Sequence, residues 1–140
     1  MVAAAKERKS SGAVEGVIQT RTCKVWLGED GIVHVVVSPV SDRSLPDAVE
    51  DFQAITKVSL GKRRPVFADL REIKSTSKES RSYYSGDEIT NNITAAALLI
   101  SSPFSRLIGS FFLGINKPAV TTRIFTSKAE ALVWLSQFMQ

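Results

Sequence analysis

One cysteine and one histidine in 140 residues leave little room for thiol or imidazole chemistry. Cys23 has no partner for an internal disulfide, so the fold does not depend on an oxidising compartment. It lies on an alternating apolar face and reads as a small buried hydrophobe rather than a nucleophile. His34 sits mid-strand in line with Ile32 and Val36, without a second histidine or a cysteine beside it, and reads as a packed side chain rather than a metal ligand. No glycine-rich phosphate loop, G-x-S-x-G elbow or H-E-x-x-H pair is present. The most apolar run, residues 107–115, is broken by Gly109, Ser110 and Gly114 and has about half the length a membrane-spanning helix needs. Residues 1–17 mix Ala, Ser and Gly with Lys6, Arg8 and Lys9 and lead into no apolar block, so they do not read as a secretory signal. These absences predict a cytoplasmic, non-enzymatic protein with no cofactor, no metal and no membrane span.

What is present is ordinary in amount. Hydrophobic residues make up 44% and charged residues 23%, which excludes wholesale disorder and fibrous structure and fits one domain. Eighteen Lys+Arg against fourteen Asp+Glu give a net charge of +4. The basic cluster Lys62, Arg63 and Arg64 and the cations of the first residues are not interleaved with aromatics, as single-strand nucleic-acid binding requires. They read as solvated charges, and no nucleic-acid partner is expected.

The patterning predicts a flexible tail over 1–17 and a single domain over 18–140. Residues 22–27 alternate and 32–37 are β-branched, with Glu29, Asp30 and Gly31 between them, which predicts a tight hairpin. Ser44, Pro46 and Asp47 start a helix whose Leu45, Ala48, Val49, Phe52 and Ile55 recur at helical spacing, ending at Gly61. A short strand over 66–70 contains Asp69. Thr76 and Glu79, in capping-box spacing, open a second helix over 78–91, in which Gly86 implies close packing on the sheet. Residues 93–100 read as a buried strand and 103–113 as a third helix. Residues 120–125 are the last strand. Ser127 and Glu130 cap a final helix whose Ala131, Leu132, Trp134, Leu135 and Phe138 face inward. The order β-β-α-β-α-β-α-β-α gives an α/β fold, with a mixed five-stranded sheet and helices packed on it.

That order, with Asp69-Leu70 closing the third strand and a Ser/Thr-rich loop feeding the second helix, resembles the STAS domain, the fold of bacterial anti-sigma-factor antagonists and of the cytoplasmic ends of anion transporters. The stretch 102–118, followed by Arg123, Ile124, Phe125, Thr126 and by 129–135, is similar to a group of bacterial STAS-like proteins of uncharacterised function. The resemblance spans roughly 22–138. It implies a regulatory, protein-interaction role. STAS antagonists carry an Asp-Ser-Ser-Gly motif with a phosphorylated serine at the start of the second helix. Here those positions hold Ser77, Lys78, Glu79 and Ser80, so the usual phosphorylatable serine is missing.

In such a sheet the loops at the carboxyl ends of the parallel strands gather on one edge, where ligands bind. They bring together Asp69, Arg71, Lys74, Ser75, Thr76, Ser77, Lys78, Ser102 and Arg106, hydroxyls and cations beside helix N-termini. Good N-caps explain the hydroxyls equally well. The second helix adds the pair Tyr83 and Tyr84, expected on its exposed surface. Phe104, Ile108 and Phe111 form an apolar stripe on the third helix, and Phe112 and Leu113 extend it beyond what packing on the sheet needs. Two functions follow. The first is a regulatory module that binds a protein partner, or itself as a homodimer, through the second helix and adjacent loops. The alternative is a small binding domain for a nonpolar or amphiphilic ligand at the third helix.

Overall fold

The computed structural model describes residues 16–103, 105–107 and 119–139. Among these residues six strands form one sheet in chain order: β1 (Ile18–Gln19), β2 (Cys23–Leu27), β3 (Val33–Val37), β4 (Arg64–Asp69), β5 (Ile93–Leu99) and β6 (Thr121–Phe125). The first three pair antiparallel, and β3 to β6 run parallel. The expected α/β order holds, with one strand more than expected. That strand has two residues, too few for periodicity to reveal. The expected hairpin is present: Gly28 N–H bonds Ile32 O at 2.9 Å and leaves Glu29, Asp30 and Gly31 as a three-residue loop, with Gly31 at φ +79°. A Cβ at Gly31 would meet only the far end of the flexible Met139 side chain, so it is the positive φ that favours glycine there.

Register places every residue on one of two faces. The row Val25, Val35, Ala68, Leu98 and Ile124 crosses the sheet on one face. It is covered by Phe52 and Ile55 of α1 (Leu45–Val58), with Ile73 and Ile89. The next row, Trp26, His34, Phe67, Ala97 and Arg123, faces the other way. There Ala131 and Leu135 of the last helix, Lys128–Leu135, close a second core over Phe67, Leu99 and Phe125. The inward face expected for that helix is the observed one. His34 is buried as expected, stacked on Trp26 with ring centroids 5.3 Å apart.

The second helix is the largest departure. It is two short helices, α2 (Lys78–Tyr83) and α3 (Asp87–Asn92). Gly86 does not lie in a helix interior; it is the extended N-cap of α3, with acidic Asp87 and Glu88 in the first turn. The cap of α2 is Ser77, whose Oγ accepts from Ser80 N–H at 3.0 Å, not Thr76. Of the predicted third helix, Pro103 and 105–107 are helical. The apolar candidates Phe104, Ile108, Phe111, Phe112 and Leu113 lie outside the described residues. The final helix is α4 (Lys128–Leu135). No helix among the described residues is long and apolar enough to cross a membrane.

Candidate functional site

The carboxyl ends of β3, β4 and β5 lie at one edge of the sheet, and the loops leaving β3 and β4 are fastened to each other there. Ser75 Oγ donates to Ser41 O at 2.6 Å, and Ser77 N–H donates to Arg43 O at 3.2 Å. Arg81 adds a bond from Nη1 to Thr76 O at 2.8 Å. Lys74 and Lys78 stand exposed on the fastened loop. Asp69 receives Arg71 through Nε at 3.0 Å and Nη2 at 2.7 Å, a two-pronged ion pair. Burial alone would raise the Asp69 carboxyl, but these bonds outweigh it and hold it below its usual range. Arg71 is thereby engaged and does not stand free to receive an anion. α2 is under two turns long, and of the four cations expected at this edge Arg71 is paired while Lys74, Lys78 and Arg106 are exposed. Ser102 Oγ accepts from Ser105 N–H at 3.0 Å as a local cap, and Arg106 is exposed in the helical stretch that follows.

Tyr83 and Tyr84 are not an exposed pair. Tyr83 meets Phe52 edge-on and donates to Glu88 Oε1 at 2.7 Å; burial and that contact push its hydroxyl up to about 12. Tyr84 turns inward, and burial pushes its hydroxyl further up. Beneath the fastened loops lies a polar cluster that motif reading missed. Asp51, 1% exposed, accepts from Thr20, from Thr22 at 2.6 Å and from the Cys23 thiol at 3.2 Å, and pairs with Arg43 at 2.9 Å. Burial pushes the Cys23 thiol up to about 12, which suits the inert role expected of it. The signal was available: Asp51 sits on the inward stripe of α1 between Ala48 and Ile55, where a carboxylate must find partners. Beside the cluster is a cavity of about 110 Å³ walled by aliphatic residues such as Val35, Val66 and Leu98, with Arg43, Thr76 and Tyr84 as polar lining.

The basic triplet is also more than solvated charge. Arg63 donates to Thr90 O and Ile93 O, and Arg64 to Ser59 O, so two of its three cations fasten backbone carbonyls at the opposite edge. No group of His, Cys, Asp and Glu suited to a metal exists among the described residues.

Known proteins agree with the fold and leave the activity open. The chain is similar in structure to an uncharacterised protein of the DUF3478 family, with a SpoIIAA-like fold, from Shewanella loihica PV-4. The TM-score is 0.56 at 13% identity, covering 91% of this chain and 99% of that one. That likeness shows the STAS-like fold alone. A protein of unknown function from Arthrobacter sp. FB24 is 27% identical over 80% of this chain and 97% of its own, with a TM-score of 0.31. No curated protein matches the sequence. Residues 25–139 match the family described as a domain of unknown function, DUF7793, and the chain belongs to that family.

Proposed function

We propose that this chain is a non-enzymatic regulatory module of the cytoplasm that binds a protein partner through the fastened loop 71–78 and the adjoining α2. The observation that carries this reading is the pair of hydrogen bonds between the loops, from Ser75 to Ser41 and from Ser77 to Arg43. It holds Lys74, Lys78 and Glu79 in fixed relation on an open polar surface, with little ordering entropy left to lose on docking. Two carboxylates beside that surface, Asp47 and Asp69, are already paired with Arg21 and Arg71, which favours recognition over acid–base chemistry. Site-specific photocrosslinking in living cells tests the reading. A crosslinker at Glu79 is expected to yield an adduct of one defined mass that Lys74→Glu abolishes. One at Lys57, at the opposite edge, is expected to yield none. Identical adducts from both positions, or none from either, would overturn it.

The cavity favours a second reading, a binding domain for a nonpolar small molecule. Its volume is on the scale of protein cavities that take up xenon or benzene, about 150 Å³. The cavity lies between the sheet and the α1 and α3 side chains, and on this reading the ligand has only a few carbons. Native mass spectrometry of protein purified gently from its own host decides: an adduct lost on organic extraction supports this reading, and the bare mass removes it.

A further inference from the structure

The sheet ends at β6, and among the described residues nothing pairs with its outer edge. Phe125 O accepts from Ile100 N–H at 3.0 Å, so the peptide groups of Thr121, Arg123 and Phe125 point toward β5. Those of Thr122 and Ile124 therefore point outward, two donors and two acceptors in strand geometry. Beside this edge, on the face of Arg123 and Phe125, α4 overhangs to make a shallow groove of about 380 Å³ with Glu130, Val133 and Trp134 in its wall. Val133 is 68% exposed although it belongs to a helix that packs on the sheet. Arg123 lies over the Phe125 ring at 5.1 Å and pairs with no carboxylate among the described residues.

We propose that β6 and this groove accept a seventh strand from a partner protein, an extended acidic segment whose carboxylate meets Arg123 and whose neighbouring apolar side chain covers Val133. Backbone bonds to Thr122 and Ile124 supply affinity, and the alternate side chains that fall into the groove supply selectivity. A second copy of this chain fits worse. The two-fold antiparallel register that pairs all five residues of β6 sets Arg123 directly opposite its own copy, and like charges there are destabilising. The cation guards the edge against self-pairing and admits a strand of opposite charge. This rests on the reading of the chain as a protein-interaction module and gives it a second surface, remote in sequence from the 71–78 loop.

The test uses the full chain and two synthetic heptapeptides that alternate valine and threonine around a central glutamate or a central lysine. The glutamate peptide is expected to bind about fivefold more tightly than its lysine counterpart, the equivalent of roughly 1 kcal/mol in a cross-strand charge pair. Arg123→Glu is expected to reverse that preference. Thr122→Pro removes an outward N–H and the hydroxyl's bond to Val120 O but no bond of the β5–β6 ladder, and it is expected to abolish binding of both peptides. Amide exchange at Thr122 and Ile124 is expected to slow when peptide binds. No binding of either peptide, a preference that Arg123→Glu leaves unchanged, or peptide protection centred on 75–84 would each overturn the β6 proposal. None of these outcomes touches the Glu79 crosslink, so the interaction-module reading stands or falls separately.

Discussion

A single carboxylate, Asp51, organises the interior beneath the fastened loops. It takes hydrogen bonds from Thr20, Thr22 and Cys23 and an ion pair from Arg43, all of them buried. Arg43 is fixed by that pair, and its backbone carbonyl receives Ser77 at the start of α2. Asp51→Ala leaves the Arg43 guanidinium buried without a counter-charge, a change worth about 3–5 kcal/mol in comparable buried pairs. Urea unfolding is expected to show that loss, with faster amide exchange across 75–81 as the Arg43 carbonyl loses its place. A loss under 1 kcal/mol would mean that water reaches the cluster. Cys23 gives an independent check. With its thiol pushed up to about 12 by burial, it is expected to stay inert to a thiol-reactive dye at pH 8 until the protein unfolds. Reaction with the folded chain at the rate of a free thiol would show that the site opens.

The break between α2 and α3 turns on Gly86. As an N-cap with φ −85°, it does not need glycine for its backbone angle, and an added Cβ would meet only Tyr83 O at 3.4 Å. In a continuous helix Gly86→Ala would stabilise by about 1 kcal/mol. At an N-cap, where alanine is poorer than glycine, the same change is expected to destabilise by several tenths of a kcal/mol, while Gly86→Ser is expected to stabilise. Thermal melts of the pair decide between the two geometries. This element also shows where sequence reading stops. Strong periodicity made β2 to β6, α1 and the inner face of α4 legible, because each buries a continuous stripe. α2 and α3 bury little beyond Ser80 and Ile89, so no stripe marked their separation, and Ser85, Gly86 and Asp87 read as part of one helix. At the site, residue types at the sheet edge were legible, since loop position follows from strand order. Their pairings were not: whether Arg71 serves a ligand or Asp69 depends on side-chain geometry that spacing does not encode.

The whole chain carries +4 at neutral pH, so each carboxylate that takes up a proton adds to a repulsion already present. Two of them brace the edge where the loops meet. Arg21 holds Asp47 well below the usual carboxylate range through bonds of 2.8 and 2.6 Å, with Ser44 N–H assisting at 2.9 Å. Arg71 holds Asp69 low against the opposing effect of burial. Both groups bind their protons less readily folded than unfolded, so the unfolded chain takes up protons first as the solution is acidified. Their stabilisation is therefore complete above the unfolded aspartate value near 4 and drains away as pH falls from there toward the folded values. The melting temperature is expected to be flat between pH 5 and 7 as far as these groups act, and to drop below about 4. Arg21→Gln removes the main cause of the Asp47 depression. Its melting temperature is expected to lie below that of the parent at pH 7 and to converge on it at low pH, where Asp47 is protonated in both. Parallel curves with a constant offset would show that Arg21 acts by packing and not by charge. In that case the charged part of the link between the start of α1, pinned at Ser44, and the strand that begins at Cys23 would fall to the Asp51 cluster, with Arg21 adding only its packing.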